Sequence, residues 1–219
     1  MTDFTAARLN MIESQVRPNG ITDRRIIAAM ELLPRERFVP ASRSAIAYVD
    51  EDIPLEAAHG PRALIEAMAF ARMLQHATIR PGDKVLVVGA GTGYGAAVIA
   101  ALAEHVVALE SDSALVAAAR ANLSGRANVK VIDGQLEAGV AGEQPFDVIV
   151  LEGRVEEVPQ ALLGQLAEGG RLVAVVGTPV VAKATVFTKS DTVIAARQVF
   201  DASITALPGF RKKIPAFVF

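Results

Sequence analysis

Residues 85–100 read VLVVGAGTGYGAAVIA: an apolar run, then glycines at 89, 91 and 93, then small residues at helical spacing. A short apolar run rich in β-branched residues and bounded by glycine predicts a strand buried on both faces. Where such a strand passes through alternating glycines into a helix, the backbone can turn sharply and approach a bound group that any side chain would obstruct. Gly89, Ala90, Gly91 and Gly93 are therefore candidate ligand contacts. A dinucleotide fingerprint requires glycine or alanine at position 94, where this chain has Tyr94. The GxGxG spacing suits an uncharged adenosine with an amino-acid tail better than a pyrophosphate. A tight strand-to-helix turn with no ligand is the plain alternative.

Working outward, the chain from Lys84 alternates apolar runs with helical patterns: KVLVVG, HVVALE, VKVID, FDVIVLEG and GRLVAVVG. This order predicts parallel strands in an α/β sheet. Two further runs, ATVFTKS and TVIAARQVF, are joined through Ser190 and Asp191 and read as a hairpin. The expected fold is Rossmann-like, a mostly parallel sheet ending in an antiparallel hairpin, with an N-terminal helical extension. In that extension residues 3–16, 22–33 and 61–76 have helical spacing. Thr22 is the expected N-cap of the second helix, Pro34 its stop, and Pro61 a first-turn residue of the third. One domain over 1–219 is expected, with 1–80 on the substrate side and 81–219 as a cofactor-binding core.

The next two strand ends add to the platform. Glu110 closes the second strand 19 residues after Gly91, where a carboxylate can accept hydrogen bonds from both hydroxyls of a ribose. Asp133 and Gly134 close the third, placing an acceptor for an adenine amino group beside a residue that leaves room for the ring edge.

Composition excludes several classes. Lys and Arg total 22 against 24 Asp and Glu, a net charge of −2, so no broad basic field is available for nucleic acid or an anionic membrane. Without cysteine there is no disulfide, thiolate metal site or cysteine nucleophile. His59, His76 and His105 read as surface or boundary residues, and no metal is expected. The first residues lack the basic-then-apolar layout of a signal peptide and no apolar run is long enough to span a bilayer, so a cytoplasmic location is expected.

The blocks MIESQVRP, RERFVP, AYVDEDIPL, VVGAGTGYGAAVIA, IDG, PFDVIVLEG and GGRLVAVVG occur in this order between about residue 9 and residue 178. In order and spacing the chain resembles the protein-L-isoaspartate O-methyltransferases, and its ending LPGFRKKIPAFVF resembles a bacterial branch of them. The resemblance implies a methyltransferase fold dependent on S-adenosylmethionine, with cofactor contacts from Gly89, Ala90, Gly91, Gly93, Tyr94, Glu110, Asp133, Gly134 and Glu152. It also implies the reaction: methyl transfer to the α-carboxylate of isoaspartyl residues, with isoaspartyl-containing proteins or peptides as partners. A carboxylate is already ionised at neutral pH, so it needs no general base, and catalysis reduces to alignment and desolvation.

Two positions depart from the resemblance. The family's Thr-Ile-Ser-x-Pro segment corresponds to residues 62–67, and Ile65 stands where the serine helps to hold the reacting carboxylate. Arg62, whose guanidinium can pair with a carboxylate, is the candidate replacement. Val87 occupies a position, two before the first loop glycine, that is commonly acidic in this cofactor class. Methylation of another carboxylate or small molecule, and a non-catalytic cofactor-binding role, remain alternatives.

Overall fold

The computed structural model describes residues 3–212. The last seven residues of the LPGFRKKIPAFVF ending lie outside the described part of the chain. In chain order the elements are α1 (Phe4–Met11), α2 (Arg24–Leu32), β1 (Ile53–Pro54), β2 (Ala63–Leu64), α3 (Ala67–Ala77), β3 (Lys84–Val88), α4 (Tyr94–Ile99), β4 (His105–Glu110) and α5 (Ser113–Leu123). They continue with β5 (Val129–Asp133), β6 (Phe146–Val155), α6 (Gln160–Gly164), β7 (Leu166–Gly177), β8 (Ala182–Ser190) and β9 (Val193–Asp201).

A seven-stranded sheet runs β5-β4-β3-β6-β7-β8-β9. Its first five strands in sequence pair in parallel, and β7–β8 and β8–β9 pair antiparallel. The sequence pattern anticipates this arrangement, including the closing hairpin, whose turn carries Asp191 at φ +52°. β3 explains why the pattern was readable. Val85 and Val87 project into the core beneath α1–α3, while Leu86 and Val88 project into a second core with Leu162, Leu163, Leu207 and Phe210. All four are fully buried, as two-sided coverage of a central parallel strand requires.

The N-terminal region departs from expectation in its boundaries. The first helix is capped by Asp3, which accepts the N–H groups of Thr5 and Ala6 at 3.0 Å, and beyond Met11 the chain continues as a π-helical turn over Ile12–Val16. Asp23, not Thr22, caps α2, accepting from Arg25 N–H at 2.9 Å. The third helix begins at Ala67 and not at Pro61. Residues 61–66 are held extended because Ala63 and Leu64 pair with Pro54 and Ile53, and the Arg62 carbonyl accepts the Leu55 N–H at 2.8 Å.

The C-terminus of α3 is tied to the sheet by Arg171 of β7. Its Nε donates to the Ala77 carbonyl at 2.6 Å, and Nη2 donates to the Thr78 carbonyl at 2.5 Å and to Asp83 Oδ2 at 2.6 Å. Those carbonyls are among the orphan acceptors that every helix end leaves. Arg171→Leu removes these three bonds and leaves the buried Asp83 carboxylate without its ion-pair partner, with only the Arg80 N–H at 2.9 Å still donating to it. The expected loss is about 3–5 kcal/mol, the range for breaking one side of a buried pair. Urea unfolding checks this as a lower midpoint with an unchanged m value.

Candidate active site

The glycine loop is built by the end of β4 as much as by its own residues. The N–H groups of Gly89 and Ala90 both donate to the Leu109 carbonyl, at 2.9 and 3.1 Å, and Gly93 N–H closes the turn on the Ala90 carbonyl at 2.9 Å. Gly89 and Gly91 sit at φ +78° and +56°, backbone conformations open to glycine and strained for other residues. A Cβ on Gly91 would lie 3.1 Å from Leu55 Cδ1.

The RERFVP block supports this loop from the N-terminal side. Thr92 Oγ1 donates to the Phe38 carbonyl at 2.5 Å, and the Phe38 ring meets Tyr94 edge-on with centroids 5.4 Å apart. Arg35, fully buried, donates to the carbonyls of Ala47 and Ile65 at 2.8 and 2.7 Å and lies over the Tyr94 ring. Tyr94 is thus an interior wall at the start of α4, between Phe38, Phe70 and Arg35.

Three strand ends lie side by side. Glu110 is in register with Asp133, and Gly134 N–H donates to the Glu110 carbonyl at 3.0 Å. Asp133 is exposed. Glu110 has no exposed surface, and its carboxylate is surrounded by donors. Oε2 accepts the Gly91 N–H at 2.8 Å, and Oε1 accepts the N–H groups of Ser111 and Asp112 at 2.7 and 3.0 Å. Arg62 adds a bidentate pair, Nη1 to Oε1 at 2.5 Å and Nη2 to Oε2 at 2.7 Å, and Nη2 also reaches the Gly89 carbonyl at 3.2 Å. The guanidinium therefore lies across the first glycine with both ends engaged. It is not directed into an open pocket, as a contact for a substrate carboxylate would be.

Glu152, on β6, lies against Gly95 in the first turn of α4. Its Oε1 is buried and has no hydrogen-bond partner among the described residues. Burial pushes its carboxyl up to about 8, with Glu110 adding in the same direction and Arg62 and Arg35 opposing. Burial thus favours its protonated, neutral form.

The two departures from the resemblance belong to one packing unit. Ile65 is 3% exposed and Val87 fully buried, and both lie in the apolar cluster shared by α1–α3 and one face of the sheet. The histidines stand where the sequence placed them. His59 and His105 are exposed, and His76 is half-buried against Phe200. Among the described residues no group of His, Asp and Glu is arranged to hold a metal ion, and no helix is long and apolar enough to cross a membrane.

A mostly parallel sheet with a glycine loop after its first parallel strand and acidic residues closing the next two defines a Rossmann-like methyltransferase. Comparison with known proteins narrows this. The family model for protein-L-isoaspartate(D-aspartate) O-methyltransferase matches residues 7–205. A protein-L-isoaspartate O-methyltransferase of Koribacter versatilis is 44% identical over 181 residues, covering 82% of this chain and 80% of its own. One from Methylorubrum populi is 42% identical over 182 residues, 82% of each chain. A solved protein-L-isoaspartate O-methyltransferase superposes with a TM-score of 0.80 at 26% identity, covering 92% of this chain and 66% of that one. A Plasmodium falciparum protein in complex with S-adenosyl-L-homocysteine has the same fold, with a TM-score of 0.76 at 21% identity over 94% and 99% of the two chains. The chain belongs to the protein-L-isoaspartate O-methyltransferase family, whose members transfer methyl groups from S-adenosylmethionine.

The Glu152 carboxyl makes a prediction about pH. Its folded value of about 8 lies above the ordinary 4.5, so between those values the folded chain keeps a proton that the unfolded chain has lost. Stability therefore falls as pH rises from about 4.5 to about 8 and levels off above that. Glu152→Gln removes this slope. Melting temperatures of the two proteins should coincide near pH 5, apart from a constant offset, and diverge in favour of the variant up to about pH 8.

Proposed function

We propose that the ends of β3, β4 and β5 hold S-adenosylmethionine in this chain and present its methyl group to the free carboxylate of isoaspartyl residues in proteins or peptides. The observation that carries this reading is the contact between Glu110 and Gly91, with Asp133 and Gly134 next in register. It brings a ribose-type acceptor, a close-approach loop and an adenine-type acceptor onto one edge. The residue types fit the cofactor. When bound, S-adenosylmethionine supplies a sulfonium methyl group as the electrophile.

The chain's own task is then placement. Gly89, Ala90, Gly91 and Gly93 let the backbone approach the cofactor's amino-acid tail. Glu110 takes the ribose hydroxyls, and Asp133 with Gly134 takes the adenine edge. Tyr94 and Glu152 shape the wall behind the loop, where burial favours the neutral form of Glu152, which adds no negative charge. Residues 1–80 form the substrate side of a single domain, and the cytoplasm is the compartment we assign. The nucleophile arrives ionised, so the reaction requires no general base from the chain.

Calorimetric titration with S-adenosylmethionine and S-adenosyl-L-homocysteine, followed by methyl transfer to an isoaspartyl peptide, tests this reading. Binding without transfer to that peptide would move the substrate elsewhere. Gly91→Val should abolish binding while the protein stays folded by circular dichroism, because φ +56° strains a β-branched residue and its side chain fills ligand space. Normal binding by that variant would remove the loop from the site. Ile65→Ser should lower stability by about 2–5 kcal/mol, the range for a buried aliphatic lost, and leave transfer to the peptide no higher than in the wild type, because position 65 faces the apolar cluster. Steady-state rates with a parallel urea titration check both.

A further inference from the structure

Glu110 is the residue assigned to the ribose, and its two oxygens already carry a bidentate guanidinium. A ribose diol can offer Glu110 only two neutral donors. A bidentate ion pair with a carboxylate is the stronger arrangement, so the two cannot be exchanged without a compensating change elsewhere. Three other contacts close the same place. Leu55 stands over Gly91, and Leu207 stands over both Gly89 and Gly153, within 2.5 Å of where a Cβ on Gly89 would lie. The Arg62 guanidinium itself bonds the Gly89 carbonyl.

Just outside lies a cavity of about 590 Å³, lined by His59, Pro61, Arg154, Glu156, Leu207 and Phe210 among others. Pro61 and Leu207 form its wall. Arg62, the next residue, faces Glu110 on the inner side, and Leu207 touches the loop glycines. The wall is therefore one layer thick and made of two chain segments. The second, residues 205–207, is a strap laid against β6: Arg154 N–H donates to the Thr205 carbonyl and Leu207 N–H to the Arg154 carbonyl, both at 2.9 Å. Asp52 joins the two halves, accepting the Glu66 N–H at 2.9 Å and the Thr205 N–H at 2.6 Å.

We infer that Arg62 is an internal competitor for the cofactor's ribose and sets the affinity of the site. In the arrangement seen here Arg62 and Leu207 bar the glycine loop from the outer cavity, and admission of the cofactor is coupled to release of Arg62 from Glu110. This rests on the assignment of Glu110 and the glycine loop to S-adenosylmethionine. A ligand that binds only the open arrangement has its apparent affinity reduced by the fraction of molecules that are open, so variants that weaken the closed state tighten binding.

The test is calorimetric titration of S-adenosyl-L-homocysteine into the wild-type chain, Arg62→Gln, Arg62→Lys and Leu207→Ala. Hydrogen exchange on the wild type, with and without that ligand, accompanies it. Arg62→Gln should tighten binding by about tenfold or more, Leu207→Ala should act in the same direction, and Arg62→Lys should fall between Gln and the wild type. Glu110 keeps three backbone donors in every variant, and Arg62→Lys retains the charge should the glutamine form fail to fold. Ligand should slow exchange at residues 89–95 while speeding it at 55–64 and 204–208, opposite signs that a pre-open site does not give. Equal affinity in all four proteins, with slowed exchange throughout, overturns the competitor role and leaves the cofactor assignment standing. No binding by any of them overturns both.

Discussion

A carboxylate with no exposed surface survives in a protein interior only where its charge is met by donors, and Glu110 is met by five: three backbone N–H groups and two guanidinium nitrogens. Because those donors come from different parts of the chain, one side chain fixes several elements. Gly91 N–H sets the height of the glycine loop. Ser111 and Asp112 set the exit of β4, from which Asp112 goes on to cap α5. Arg62 draws the extended segment before α3 onto the sheet edge. The parallel sheet supplies the position, and the carboxylate decides what gathers around it.

The same interaction governs how much could be read in advance. β3, β4, β6 and β7 declare themselves by apolar runs buried on both faces, whereas the closing hairpin, whose last strand is largely exposed, is marked by its turn residues at Ser190 and Asp191. The positions of Gly91, Glu110 and Asp133 were legible for the same reason, since a strand end is a local feature. Residues 61–66 have helical periodicity yet are extended, because that periodicity is overridden by partners distant in sequence, Glu110 for Arg62 and Ile53 for Leu64. No local signal marks Arg62 as half of a buried pair spanning 48 residues. Its charge was visible, its partner was not. Asp52 bridging to Thr205 across 153 residues is the same case at greater range.

Ile65 and Val87 show a different limit. Read singly, each is a polar group missing from a site. In three dimensions they lie in one apolar cluster with Leu55, Phe70 and Tyr94, so an acid at position 87 or a hydroxyl at position 65 would be a polar group in a packed interior. The two changes form one environment in which the loop is backed by hydrocarbon. Arg35 complements it: with its charge buried, it spends its donors on the carbonyls of Ala47 and Ile65, fixing the backbone at Ile65.

The bonds from Arg171 to the Ala77 and Thr78 carbonyls bear on how the chain is made. They join positions 94 and 93 residues apart, and the partner in β7 emerges from a ribosome long after α3. The central strand β3 is in a similar position, since its neighbour β6 starts at Phe146. Until then the nascent chain carries an apolar strand covered on one side only and a helix whose last carbonyls are satisfied by water. Synthesis at about 5–20 residues per second leaves that state exposed for several seconds. During synthesis, then, β3 has an unpaired hydrophobic edge until β6 is added beside it, and the antiparallel strands only extend the sheet further on the same side.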